Sequence, residues 1–304
     1  MNSFSGARCF AGLSMAAALA ACGLGRPPAV KPVSSPRGDL IGDVKAFEQT
    51  LGVGATGNFL RYSDSAGAID RCYFTGRLEL PVSYRALGLT GEGKEPCAAR
   101  GMRYDVFFYP VEAVASGSAA ITPALTGATV ERMLVVVPHE DFHSQPEVRK
   151  AAPEIAEAAA TLAGFLTASA FAKQAFGVLS EPFQRLDRDA WLFLRKAQVV
   201  NSYYDRLSGL YRSLRSRAID RQAALAGKAA LFAELQRDCS AITPEPASFN
   251  KCPAVLNNAG LAFERTYTQQ YSMMFDLYLR SGRDAGSTIA QLKQLVAGRP
   301  PGTP

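Results

Sequence analysis

The chain holds only two histidines in 304 residues, and they stand four apart in His139-Glu140-Asp141-Phe142-His143. On an α-helix, positions i and i+4 share a face, so both imidazoles project toward one point. Two imidazole nitrogens at bonding distance make half of a tetrahedral Zn²⁺ site. Glu140 lies about 100° around the same helix, close enough to take a proton from water that the ion has acidified without binding the ion. This is the chemistry of metal-assisted attack on a carbonyl. Two solvated histidines on a helix surface are the plain alternative, but both histidines of the chain falling at this spacing with a glutamate between them favours a metal.

A third ligand must be a carboxylate, because no other histidine exists. Glu147 follows too closely to fold back. Glu154 and Glu157 lie three apart on an alanine-rich helix, which a turn over residues 150–153 would carry back across the first. Glu154 also suits the positive end of that helix. Glu157 sits among Ala156, Ala158, Ala159 and Ala160, where an inward charge needs a partner, and is the chosen ligand with Glu154 in reserve. The oxyanion of such a reaction needs a neutral donor. Tyr267 is the candidate for that catalytic role, with Asn257 and Asn258 as candidate substrate-binding residues. Asn257 and Asn258 equally suit the cap of the helix that follows.

These side chains must be positioned by elements of two kinds. Residues 58–62, 73–84, 104–109 and 132–137 are rich in aromatic and β-branched residues, separated by Gly- and Pro-bearing connections, and predict strands. Residues 39–51 predict a short leading helix. Pro138 then predicts a helix starting at the motif itself. Beyond it, residues 154–176 are alanine-rich. Apolar residues from Phe183 to Leu214 recur three or four apart, as on a long amphipathic helix. Residues 219–237 and 255–279 continue the helical pattern to a stop at Arg280-Ser281-Gly282. The expected class is α+β, a small N-terminal mixed or antiparallel sheet packed on a mainly helical C-terminal region. One domain is expected over residues 39–298, mainly β to residue 137 and mainly α from 138, with a disordered tail at 299–304.

The N-terminus reads as an address. An apolar run over residues 10–21 ends in Leu19-Ala20-Ala21-Cys22, which resembles a bacterial lipobox with Cys22 as the lipidated residue. Residues 1–21 are then a signal peptide, and the Pro-rich stretch 22–38 a flexible tether from a membrane-held lipid. Gly23 in place of aspartate favours the outer membrane, with the domain facing the periplasm. An exported chain suits disulfides, and proximity pairs Cys72 with Cys97 and Cys239 with Cys252. The absence of any C-x-x-C pair argues against a thiolate zinc site.

Composition agrees with a folded body. The chain is 48% hydrophobic and 20% charged, which excludes an intrinsically disordered protein. No run of about 18 uninterrupted apolar residues points to a multispan membrane protein. The charge of +6 is spread out, with no footprint for nucleic acid. The glycine-rich Gly52-Val53-Gly54-Ala55-Thr56-Gly57 neither follows a clear strand nor opens a helix, so it predicts no nucleotide site.

The sequence resembles a family of bacterial lipoproteins described as zinc aminopeptidases. The family's H-E-x-x-H helix and its later N-E-x-x-A-T segment correspond to residues 139–143 and to Ala156-Glu157-Ala158-Ala159-Ala160-Thr161. Residues 47–62, 228–235, 256–259 and Thr266-Tyr267 are also similar. Asp141 and Phe142 replace a small apolar pair, and Ala156 replaces an asparagine. The resemblance implies a zincin-like fold, zinc held by His139, His143 and Glu157, and Glu140 as general base in peptide hydrolysis. Aminopeptidase specificity comes from the resemblance alone. The alternative is a non-catalytic envelope lipoprotein that uses a degenerate zincin scaffold to bind a peptide or protein partner. A third reading keeps zinc only to brace the fold, with four closed ligands.

Overall fold

The computed structural model describes residues 36–63, 69–114, 117–253 and 255–299. The signal-like segment, Cys22, the tether up to residue 35 and residues 300–304 lie outside the described residues. Ten helices and three strands follow one another among the described residues: α1 (Pro36–Thr50), β1 (Ile69–Gly76), β2 (Gly88–Thr90), α2 (Lys94–Arg100), β3 (Tyr104–Val111), α3 (Pro123–Gly127), α4 (Val130–His143), α5 (Pro153–Phe176), α6 (Glu181–Arg215), α7 (Arg221–Ser240), α8 (Asn258–Thr268), α9 (Tyr271–Arg280) and α10 (Ala285–Val296). A 3-10 turn at Tyr84–Ala86 links β1 to β2. The class is α+β.

The strands form one antiparallel sheet in the order β2-β1-β3, with Cys72 opposite Phe108 and Arg71 opposite Tyr109. Side chains alternate across it, and its inner face meets α8 through Tyr73, Phe107, Ala259, Ala262 and Phe263. The Phe107 and Phe263 rings lie 4.6 Å apart. This aromatic layer joins the sheet to the helices. The disulfide Cys72–Cys97 ties β1 to α2, and Cys239–Cys252 ties the end of α7 to the approach to α8. Both are the pairs expected from proximity along the chain.

α5 is the centre of the helical part, packed on α1, α4, α6, α8, α9 and α10. It is apolar on nearly all sides, as a helix enclosed by others must be. By length and composition it would also cross a membrane, but 83% of its most apolar window is buried inside the protein. Pro153 sits at its first turn, where a missing N–H is harmless. At Gly164 an added Cβ would stand 2.8 Å from the Val135 carbonyl oxygen and 3.3 Å from the His139 Cβ. That glycine therefore sets how closely α4 and α5 cross.

Several expectations are corrected here. Residues 132–137 are not a strand but the body of α4, which starts at Val130 behind the N-cap Thr129 and carries Pro138 inside it. An interior proline costs a helix about 3 kcal/mol. Met133, Leu134, Val137 and Phe142 are all fully buried, each contributing roughly 1.5–3 kcal/mol, so burial wins over both the proline and the β-branched run. Residues 58–62 form turns and a single bridge from Tyr62 to Ile121, and the strand read over 73–84 ends at Gly76. Residues 39–137 therefore mix a three-stranded sheet with α1–α3 and half of α4, and are not mainly β. The leading helix begins at Pro36, inside the expected tether. The helix expected over 255–279 is two, α8 and α9.

Candidate metal centre

α4 delivers His139 and His143 from one face, one turn apart, and α5 crosses it so that Glu157 from its first turns meets both. His143 Nε2 lies 3.2 Å from His139 Nε2 and 3.0 Å from Glu157 Oε2, and His139 Nε2 lies 3.4 Å from the same oxygen. A zinc ion bonded at 2.0–2.1 Å to tetrahedral nitrogen and oxygen donors separates them by about 3.3 Å. The three observed distances fit the edges of such a tetrahedron. One donor atom from each of the three residues lies within 4.8 Å of the other two, and among the described residues no fourth His, Cys, Asp or Glu joins the group. Three protein donors fit a catalytic zinc and fall short of the four of a structural one.

The electrostatics follow from the same closeness. Burial by itself would lower the His143 pKa, but the charge of Glu157 and its hydrogen bond outweigh it and push the imidazole up to about 9. Glu157 is the mirror case. Burial would raise its pKa, yet His143 and His139 together hold the carboxyl well below the usual range.

Glu140, next to His139, lines the cleft that opens over the centre, as does Tyr267. The Tyr267 ring lies nearly parallel to the His139 ring, with centroids 6.4 Å apart. Burial, and then the nearby Glu157 charge, raise its pKa well above that of an ordinary phenol, so the hydroxyl keeps its proton. The cleft encloses about 630 Å³ between β1, β3, α4, α8 and the start of α5. A smaller cavity of about 140 Å³ shares His139, Glu140 and Tyr267 and runs inward to Phe165, Phe193 and Phe249.

One functional residue escapes a sequence reading. The Tyr84 hydroxyl donates to Glu157 Oε1 at 3.0 Å, while its backbone N–H donates to Thr266 Oγ1 at 2.9 Å. The tyrosine therefore fixes one carboxylate oxygen and leaves the other toward the imidazoles. It comes from the 3-10 turn, 73 residues before its partner, and no local spacing marks it.

Asn257 and Asn258, expected to bind substrate, do not line the cleft. Asn257 caps α8 by accepting from the Gly260 N–H at 3.0 Å and donating to the Val106 carbonyl at 2.8 Å. Asn258 is fully buried, donating to the carbonyls of Arg77 and Glu79 and accepting from the Tyr211 hydroxyl. Their capacity is spent on joining α8 to the sheet and α6. Glu154 stands outside the donor group. The glycine-rich loop packs on the end of α4, where Gln145 bonds both the N–H and the carbonyl of Gly54.

Asp141 and Phe142, between the histidines, point to the opposite side. Phe142 is buried in the main core. Asp141 is fully buried and accepts from Lys45, Thr56 and Asn58, the last at 2.9 Å, and Asn58 also donates to Ser144 at 2.8 Å. These contacts bolt α4 to α1 and to the loop after it. They give the charged Asp141 and the large Phe142 their partners on that side. No protein family, no curated protein and no solved structure was found to match this chain.

Proposed function

We propose that the protein is a zinc-dependent hydrolase of peptide or related amide bonds, with a zincin-like arrangement, working in the bacterial envelope. The observation that carries the reading is the set of 3.0–3.4 Å separations among the His139, His143 and Glu157 donors, with Glu140 on the adjoining cleft wall. The resemblance to the zinc aminopeptidase lipoproteins rests on the motifs quoted above. It supplies the fold type and the peptide substrate, and the lipobox-like Cys22 supplies the envelope location.

His139, His143 and Glu157 would hold the zinc. Bound there, the ion supplies Lewis acidity, bringing water toward ionisation at neutral pH and polarising the carbonyl. Glu140 accepts the proton of the attacking water and returns it to the leaving amine. Tyr267, protonated at neutral pH, donates to the developing oxyanion. Tyr84 orients Glu157 and raises the precision of the donor set. Phe263, Tyr109 and Tyr73 wall the cleft with aromatic surface, which limits water and strengthens each of these interactions. A lipid on Cys22 would keep the domain at the periplasmic face of the outer membrane without a spanning helix.

Elemental analysis of the purified protein tests the reading together with a peptide-hydrolysis assay. One zinc per chain is expected. Glu140→Gln should keep the metal and lose activity by about 10²–10⁴-fold, whereas His143→Ala should lose both. Zinc retained by His143→Ala, or turnover unaffected by Glu140→Gln, overturns it.

A further inference from the structure

The cleft over the donor group has an unbalanced lining. Arg71, Arg85 and Arg149 line it, and among the described residues its carboxylates are Glu140 and Glu157. Both carboxylates already have work at the centre. The three guanidiniums reach the cleft from three separate places: β1, the 3-10 turn, and the connection between α4 and α5. Among the described residues, the arginines that pair with acids are Arg100, Arg132, Arg185, Arg206 and Arg265, not these three.

Their placement relates them to the reacting centre. Arg149 Nε donates to the Ser144 carbonyl at 3.1 Å, which anchors the side chain beside the end of α4 and leaves its terminal nitrogens to donate elsewhere. Arg85 is close enough to Tyr84 to oppose the rise in that phenol's pKa, and the same phenol lies 3.0 Å from Glu157. Arg71 shares a strand face with Tyr73, two residues on, which also lines the cleft. A free amino terminus would need an acidic partner here. Among the described residues the cleft lining offers the two carboxylates of the centre, and Glu112 and Glu264 of the adjoining cavity are paired with Arg132 and Lys196. Guanidinium forks match a carboxylate with two parallel hydrogen bonds.

We infer that the cleft takes a substrate bearing a carboxylate near the scissile amide, namely the C-terminal end of a peptide, with Arg71, Arg85 and Arg149 as the groups that recognise it. The inference rests on the hydrolase reading of the same centre. It replaces the amine-end specificity that the resemblance alone suggests.

The test measures binding to the purified full chain carrying Glu140→Gln, by calorimetry. Three probes are compared: N-acetyl-Ala-Ala-Phe, its C-terminal amide, and N-acetyl-Ala-Glu-Phe amide, which offers only a side-chain carboxylate. The free acid should bind about tenfold or more tightly than the plain amide, as a charge-assisted pair is worth that much. Added salt should narrow the gap. Arg71→Gln and Arg85→Gln, each combined with Glu140→Gln, should shrink the acid-to-amide ratio severalfold, with melting curves checking the fold. Equal binding of acid and amide overturns the inference, as does tighter binding by the glutamate peptide than by the free acid. Failure to bind any of the three, or a requirement for a free amino terminus when unacetylated Ala-Ala-Phe is tried, also overturns it. Metal content and wild-type turnover report separately on the hydrolase reading. Carboxylate preference without turnover removes the enzyme and leaves the anion site, while turnover without preference does the reverse.

Discussion

The two faces of α4 solve opposite problems with similar residue types. On one face His139, His143 and Glu157 bring three donor atoms to within 3.4 Å of one another at the floor of a cleft. On the other, Asp141 is fully buried and its oxygens accept from Lys45, Thr56 and Asn58. The second face is a closed network in which a charge meets its counter-charge and hydrogen bonds satisfy the remainder. The first face crowds acceptors around a common point, which is stable only with a cation or a proton among them. The difference teaches that the donor cluster in front depends on how its back is held. The contacts of Asp141 fix α4 so that His139 and His143 face Glu157.

Breaking the back of α4 should have the largest effect. Asp141→Ala removes the nearer of the two carboxylates beside Lys45 and leaves Glu48 at 3.9 Å; losing one partner of a buried pair costs up to about 3–5 kcal/mol. Urea unfolding should show that loss, and metal binding should fall with it. Intact stability in the variant would mean that the two faces are independent. Next, Gly164→Ala puts a methyl group against the Val135 backbone at the α4–α5 crossing, for about 1–3 kcal/mol of overpacking. It should also weaken zinc affinity, because Glu157 rides on α5; an unchanged Kd for zinc would separate the crossing from the site.

A narrower change sharpens the comparison on the front face alone. Tyr84→Phe deletes only the hydroxyl on Glu157 Oε1, and loss of such an orienting partner weakens metal binding about tenfold or somewhat more. The melting temperature of the metal-free protein should barely move. A pH slope from the back face completes the comparison. Glu48 is 1% exposed beside Asp141, and neither of its oxygens has a hydrogen-bond partner within the described residues. Burial first, then the adjacent Asp141, push its pKa far above the ordinary 4.5. A proton on Glu48 turns it into a donor toward Asp141, which relieves two facing carboxylates. Its folded pKa is raised, so the folded state holds a proton that the unfolded chain has lost above about pH 4.5. Stability should therefore fall as pH rises from that point toward the raised value, by up to about 1.4 kcal/mol per pH unit. Glu48→Gln should flatten that slope in metal-free protein; an unaltered pH profile would show that the proton resides elsewhere.

The donor set was legible because its information is local. The i, i+4 spacing in 139–143 and a charge isolated among alanines at Glu157 both report on helix faces, and helix periodicity does not depend on distant contacts. The same reasoning read α1, α5, α6 and α7 closely. It failed over residues 132–137, where three consecutive valines and a following proline argue locally for a strand. Enclosure between α5 and the loop after α1 decides that segment instead. It also left Asn257 and Asn258 between two roles, and only the carbonyls of Val106, Arg77 and Glu79, far off in the chain, reveal the ties that both side chains make.

Sequence by itself determined the spacing of the two histidines and the α+β class, and pointed to Glu157 and to the cysteine pairs by proximity along the chain, since each depends on residues near one another in the chain or on overall composition. The tertiary structure alone decided that α4 continues through Pro138, that Tyr84 reaches Glu157, and that three arginines from separate segments meet over one cleft. Those facts depend on packing between elements distant along the chain, and the burial gained there outweighs the local preferences of a proline or a run of valines.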